Sequence, residues 1–216
     1  GDAEVEIEVG ESYTEDSATS DGGETVFSTG SVNTSAVGTY TITYAATDAA
    51  GNVAQEVTRT VIVEDNIAPV ITLAGDAVVT LEVGGSYDEQ GVTVSDNYDT
   101  NLTVTIDSSA VNMSALDSYS VIYSATDSSG NKAVEVTRMV TVVDNTPPVV
   151  TLVGDAEVTI EMGSAYTEQG ATVSDNYYTT GLDVDVTVTP TGAVTTSAEG
   201  TYEITYSVTD GSNNTG

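Results

Sequence analysis

Cysteine, histidine and tryptophan are missing from this 216-residue chain. Without cysteine, no disulfide holds the fold and no thiol does chemistry. Without histidine, a serine nucleophile has no imidazole base. Phenylalanine occurs once and proline four times. Positive charge is scarce: Arg59, Lys132 and Arg138 stand against 34 acidic residues, for a formal net charge of −31. Such a surface repels nucleic acid and anionic lipid and attracts metal cations. It also repels itself, so the fold is expected to need salt or bound cations to screen it. A solvated acidic coat suited to a saline medium and a specific cation role both fit this balance. No apolar run is long enough to span a bilayer, so direct membrane insertion is not expected. No signal peptide opens the chain, as expected of a mature or excerpted segment.

What the chain does have is repetition. Gly1-Asp2-Ala3-Glu4-Val5 returns as Gly75-Asp76-Ala77-Val78-Val79 and as Gly154-Asp155-Ala156-Glu157-Val158, at spacings of 75 − 1 = 74 and 154 − 75 = 79. Tyr13, Tyr87 and Tyr166 keep the same spacings. Ser95-Asp96-Asn97-Tyr98 matches Ser174-Asp175-Asn176-Tyr177, with a degenerate Ser20-Asp21-Gly22-Gly23 in the first copy. Gly38-Thr39-Tyr40-Thr41-Ile42-Thr43-Tyr44 recurs around Tyr119 and Tyr202, and Thr47-Asp48 recurs as Thr126-Asp127 and Thr209-Asp210. A unit of this length is too long for a solenoid turn and suits a small autonomous domain. The expected domains are 1–66, 67–145 and 146–216. Their boundaries fall at Asp65-Asn66-Ile67-Ala68-Pro69 and Asp144-Asn145-Thr146-Pro147-Pro148, where proline makes each linker short and stiff. Three such domains in line are expected to make a rod on the order of 100 Å long.

The period within each unit is two. Tyr40, Ile42 and Tyr44 alternate with threonines; Val5, Ile7 and Val9 alternate with glutamates; Leu102, Val104 and Ile106 alternate with Thr103 and Thr105. Valine, threonine, isoleucine and tyrosine favour strands, and turn residues recur every 8–12 positions or so. The expected fold is all-β: tandem immunoglobulin-like β-sandwiches of about seven strands each. The tyrosine near the start of the penultimate strand reads either as the tyrosine corner of such sandwiches or as an ordinary inward aromatic.

These residues carry a resemblance. An Asp-Asn-x-x-Pro-Val-Ile-Thr-Leu kind of linker is followed by Gly-Asp and by Val-Gly-x-x-Tyr. Ser-Asp-Asn, Gly-Thr-Tyr-x-Ile-x-Tyr and Thr-Asp-x-x-Gly-Asn complete the set. Together they resemble the bacterial surface Ig-like repeats, including the hyalin-repeat-like kind, over essentially the whole chain. The resemblance implies an extracellular or cell-surface location and a role as spacer in an adhesin stalk, surface layer or filament. Its partners would be neighbouring copies or subunits of the same protein. Against this pattern both end domains read as incomplete, the first lacking its lead-in strand and the third its last.

Sandwich topology places one interstrand loop and the last hairpin at the pole where the linker enters. For the second unit this gathers Asp65, Asn66, Asp96, Asn97, Asp99 and Asp127; for the third, Asp144, Asn145, Asp175, Asn176 and Asp210. Hard oxygen donors from several loops suit Ca²⁺, which takes six to eight of them. The linker also resembles the calcium-stiffened junctions of cadherins. The competing reading is turn chemistry alone, since Asp, Asn and Gly are what tight turns require. Arg59 and Arg138 are expected to pair with carboxylates of their own sheets. Asn33, Asn101, Asn112 and Asn213 sit in Asn-x-Ser/Thr sequons, which arise readily in a threonine-rich chain.

No catalytic residues are expected. Prominent carboxylates recur as scaffold, and no Gly-rich phosphate loop opens a helix. Two other functions remain open. One is a glycan- or receptor-binding module, for which Tyr177-Tyr178 is the aromatic candidate. The other is an accessory segment of a secreted hydrolase.

Overall fold

The computed structural model describes residues 1–180, 182, 184–189 and 194–216, with 184–189 described as strand alone. Among these residues there are fourteen strands and no helix. In the first repeat, β1 (Glu4–Glu8), β2 (Val26–Thr29), β3 (Gly38–Ala46) and β4 (Val57–Glu64) form one sheet in the order β1-β4-β3-β2. β1 runs parallel to β4, and the other neighbours are antiparallel. The second repeat carries β5 (Val70–Leu73), β6 (Val78–Glu82), β7 (Val92–Ser95), β8 (Val104–Asp107), β9 (Asp117–Ala125) and β10 (Val136–Val143). β5 pairs with β7 and β8 with β9, both antiparallel, while β6 runs parallel to β10. The third repeat carries β11 (Val149–Leu152) paired with β12 (Ala171–Ser174), and β13 (Val184–Thr189) paired with β14 (Glu203–Val208).

The architecture is thus all-β and immunoglobulin-like, repeated in tandem. The second repeat has six strands where about seven were expected. Left-handed glycines bracket the segment between β6 and β7 that forms no strand, Gly84 at φ 77° and Gly91 at φ 78°. Glycine reaches this region at no steric cost, and it turns the chain out of a ladder.

Period-two alternation builds the core. Val61 and Val63 of β4, Val121 and Tyr123 of β9, and Val140 of β10 are fully buried. Each fully buried valine contributes about 1.5–3 kcal/mol. Ile42 and Tyr44 on β3 are buried, as their alternation with threonine implied. Ile106 departs from that pattern: it lies near the end of the short β8 and is exposed.

The recurrent tyrosine forms a corner in two repeats. The Tyr40 hydroxyl donates to the Ala36 carbonyl at 2.9 Å, and the Tyr119 hydroxyl donates to that of Ala115 at 3.1 Å. Arg59 and Arg138 are buried and do pair with carboxylates, but not on the sheets. Arg59 meets Glu15 and Arg138 meets Glu89, both in the connection that follows the first strand of the motif. A connection can fold over the core, whereas a neighbouring strand's outward carboxylate faces water.

The chain forms two compact units. One comprises Gly1–Asp76, Gln90–Asp107 and Ile122–Thr137; the other comprises Ala77–Glu89, Ser108–Val121 and Arg138–Gly216. Each unit contains one of the two proline-bearing linkers together with the loops of the repeat that follows it.

Candidate metal centres at the linkers

The linker aspartates are buried. Asp65 is 4% exposed and Asp144 is 5% exposed. Each uses one carboxylate oxygen to close a local turn: Asp65 Oδ1 accepts the Ile67 N–H at 3.3 Å, and Asp144 Oδ1 accepts that of Thr146 at 3.2 Å. The other oxygen, Oδ2 in both residues, is buried with no hydrogen-bond partner.

The loop aspartates behave the same way. Asp96 Oδ2 accepts the N–H groups of Tyr98 and Asp99, both at 3.0 Å. Asp175 Oδ1 accepts those of Tyr177 and Tyr178, at 2.9 and 2.7 Å. Their second oxygens, Asp96 Oδ1 and Asp175 Oδ2, are also buried without a donor. In the hairpin aspartates both carboxylate oxygens accept hydrogen bonds. Asp127 accepts from the Asn131 backbone at 2.7 Å and side chain at 2.9 Å, and Asp210 accepts likewise from Asn214 at 2.8 and 2.7 Å.

Carboxylate oxygens of Asp65, Asp99 and Asp127 converge within 4.8 Å of one another, and so do those of Asp144, Asp175 and Asp210. The two trios differ in their loop member. Asp175 corresponds to Asp96, since 96 + 79 = 175, and the residue corresponding to Asp99 is Tyr178. Asp99 accepts from the Ser128 backbone at 2.7 Å and from its hydroxyl at 2.8 Å. At the matching place the Tyr178 hydroxyl lies 3.3 Å from the Ser212 hydroxyl.

The charges act on one another. Burial pushes the Asp144 carboxyl up from its ordinary value, and the neighbouring charges of Asp175 and Asp210 push it further. Burial also pushes up Asp127 and Asp210, but the amides of Asn131 and Asn214 and the backbone N–H groups of each hairpin outweigh it and hold both low. Each cluster therefore sets one carboxylate that is held low beside buried oxygens that have no hydrogen-bond partner. Such an arrangement is costly for an isolated anion, and a cation relieves it.

The four expected asparagines serve a different group. Asn66 N–H donates to Glu8 at 3.0 Å, and the Asn97 side chain donates to the same carboxylate at 3.2 Å. Asn145 N–H donates to Glu82 at 3.0 Å, and the Asn176 side chain does so at 3.1 Å. Glu8 ends β1 and Glu82 ends β6, equivalent strands of the preceding repeats, so each ties that strand to the linker and to a loop of the next repeat. Asn131 and Asn214 add a second tie: their side chains donate to the backbone carbonyls of Asp65 and Asp144, at 2.9 and 3.1 Å. These four residues escaped the sequence reading. The recurrence 8 + 74 = 82 was available as a signal.

Asn33 and Asn112, in sequons, accept the backbone N–H groups of Ser35 and Ser114 and so close turns. Tyr177 and Tyr178 pack edge to face, with ring centroids 5.1 Å apart.

The chain matches the family described as bacterial surface protein, Ig-like domain, over residues 1–63, 71–142 and 150–216. Hyalin of Strongylocentrotus purpuratus is 29% identical over 229 residues, an alignment covering 96% of this chain and 18% of hyalin. The chain thus spans less than a fifth of that relative's length. A lipoprotein of Bacteroides thetaiotaomicron, known from a crystal structure, superposes with a TM-score of 0.30 at 18% identity, over 66% of this chain and 61% of that one.

Proposed function

The chain belongs to the family of bacterial surface protein Ig-like domains, and from that premise we propose that it is a stiff, acidic, calcium-ordered spacer of an extracellular surface protein. Its repeats are bounded at 1–66, 67–145 and 146–216, and each linker carries one Ca²⁺. The role is mechanical: the array holds something at a distance and performs no chemistry of its own. Neighbouring copies or subunits of the same protein are its partners.

One observation carries the cation. Asp65 and Asp144 each leave a carboxylate oxygen buried without a donor, beside two further carboxylates. Turn chemistry explains only the oxygen that each aspartate does use. The donors are all hard oxygens in a chain without histidine or cysteine, which suits Ca²⁺ over zinc. Mg²⁺ demands a tighter octahedron and sheds its water reluctantly, so a loose cluster drawn from a linker and two loops favours the larger ion. Bound there, Ca²⁺ would neutralise the trio and tie the linker to both loops of the next repeat. Those loops already hold the linker through Asn131 and Asn214.

Calorimetric titration of the chelator-treated chain tests this. Two Ca²⁺ per chain are expected. Asp65→Asn or Asp144→Asn is expected to leave one, because asparagine keeps the turn-closing oxygen and removes the charge. Neither substitution should unfold the apo protein, since each removes like-charge repulsion. Absence of any Ca²⁺ heat beyond a matched Mg²⁺ control, or an unchanged count in both variants, would refute the proposal.

A further inference from the structure

The two linker clusters are built alike except at one position. In the first, Asp65 comes from the linker, Asp96 and Asp99 from one loop, and Asp127 from the hairpin. In the second, Asp144, Asp175 and Asp210 come from the same three places. Each cluster holds a linker aspartate, 4% or 5% exposed, whose Oδ2 has no hydrogen-bond partner. Each also holds one loop aspartate with a second such oxygen, Asp96 Oδ1 or Asp175 Oδ2. The difference is the fourth carboxylate: Tyr178 stands where the first cluster has Asp99.

The exchange involves two residues in each cluster. Asp127 and Asp210 open the hairpins, and the residues after them are Ser128 and Gly211. In the first cluster Ser128 aims the extra carboxylate. Its backbone N–H donates to Asp99 Oδ2 at 2.7 Å, and its hydroxyl reaches Oδ2 at 2.8 Å and Oδ1 at 3.0 Å. So held, Asp99 keeps an oxygen within 4.8 Å of those of Asp65 and Asp127. In the second cluster the Tyr178 ring lies against the hairpin backbone. A Cβ on Gly211 would come 2.6 Å from the ring, closer than packing allows. The Gly211 backbone is not left-handed, so its missing side chain serves the ring and not the turn. Tyr177 holds the ring edge to face, and the Ser212 hydroxyl lies 3.3 Å from that of Tyr178. Asp99 with Ser128 and Tyr178 with Gly211 are thus two matched pairs, one supplying a carboxylate and the other excluding it.

Affinity for Ca²⁺ rises with the number of charged ligands and with the rigidity of the site. We propose that the two linkers take up Ca²⁺ in a fixed order, the first linker tightly and the second about tenfold or more weakly, because Tyr178 replaces a carboxylate there. This ordering rests on the reading of both clusters as Ca²⁺ sites. Between the two dissociation constants the first linker is filled and the second is empty. The Ca²⁺ level around the protein then sets how many linkers are stiff, and the second linker is the one released first as Ca²⁺ falls.

Competition of the full chain with a chromophoric Ca²⁺ chelator, at fixed ionic strength, tests the order. Two dissociation constants about tenfold or more apart are expected on the unaltered chain. Asp65→Asn is expected to remove the tighter one and Asp144→Asn the weaker. Asp99→Asn should move the tighter constant toward the weaker. Tyr178→Asp combined with Gly211→Ser installs the other matched pair and should bring the weaker constant close to the tighter. Two equal constants, or loss of the tighter one in Asp144→Asn, would overturn the ordering and leave both clusters as Ca²⁺ sites. No Ca²⁺ binding at all would overturn the sites and the ordering together. The order is read on the unaltered chain and on two substitutions that remove like-charge repulsion, so poor folding of the double variant cannot mask it.

Discussion

At the scale of single residues, what counts is which oxygen atoms have donors. Asp65, Asp96, Asp144 and Asp175 each satisfy one carboxylate oxygen and bury the other unsatisfied. The sequence showed that aspartates would gather at one pole of each repeat, because they recur with the domain. It could not show that Asn66, Asn97, Asn145 and Asn176 turn to Glu8 and Glu82 instead. Glu8 reads as the solvent face of a strand, in line with Glu4 and Glu6. Nor could it show that Asp99 joins one trio while Asp175 joins the other. That choice depends on Tyr178 standing where Asp99 stands, which a motif match through Ser-Asp-Asn-Tyr hides.

Charge at this scale also sets a response to acid. The Tyr166 hydroxyl, then that of Tyr206, with backbone N–H groups in support, holds the Glu168 carboxyl down at about 2, against an ordinary value of 4.5. A depressed carboxylate contributes stability that is fully present above its unfolded value and is lost as pH falls through the folded one. Glu168 therefore contributes above about pH 4.5 and loses that contribution between there and pH 2. Asp144 runs the other way: its raised pKa means that its ionisation costs stability, and falling pH relieves the cost. Urea midpoints measured from pH 6 to pH 2 are expected to fall more steeply for the unaltered chain than for Glu168→Gln. Parallel curves would show that Glu168 has no depressed titration.

At the scale of elements, alternation made the strands legible and glycine decided where they stop. β3, β4, β9 and β10 were readable because apolar and polar residues alternate over eight or nine positions. The missing seventh strand of the second repeat was not, because left-handed backbone at Gly84 and Gly91 leaves no trace in the apolar pattern. The tyrosine corner was one of two readings, and hydroxyl geometry selects it in the first two repeats. Tyr119 anchors the entry to β9 through the Ala115 carbonyl. Tyr119→Phe keeps the ring and removes that bond, so it is expected to lower unfolding stability by about 1 kcal/mol. A change near zero in chemical denaturation would mean that the ring packs and the hydroxyl does nothing.

At the scale of the whole molecule, acidity and repetition belong to one account. A formal charge of −31 on 216 residues disfavours compaction through self-repulsion, and general salt screens it. On the proposed reading, the buried oxygens at the two linkers are met by a hard cation held in place, which general salt does not provide. Ordinary screening should raise stability smoothly with ionic strength and without regard to the identity of the ion. A site should respond to one ion at low concentration. The family to which the chain belongs points to an extracellular or surface location.

Thermal unfolding of the chelator-treated chain, with Ca²⁺ against Mg²⁺ and NaCl at matched ionic strength, tests the central claim most directly. Ligand at 100 times its dissociation constant adds about 2.7 kcal/mol per site, and a chain of this size gains roughly 2–4 °C per kcal/mol. The account predicts a Ca²⁺-specific rise in Tm of about 5–10 °C per site, the total being halved by Asp65→Asn and abolished when Asp144→Asn is added. Equal Tm in all three salts would contradict it: the aspartates would then be turn residues, and the acidity a surface coat.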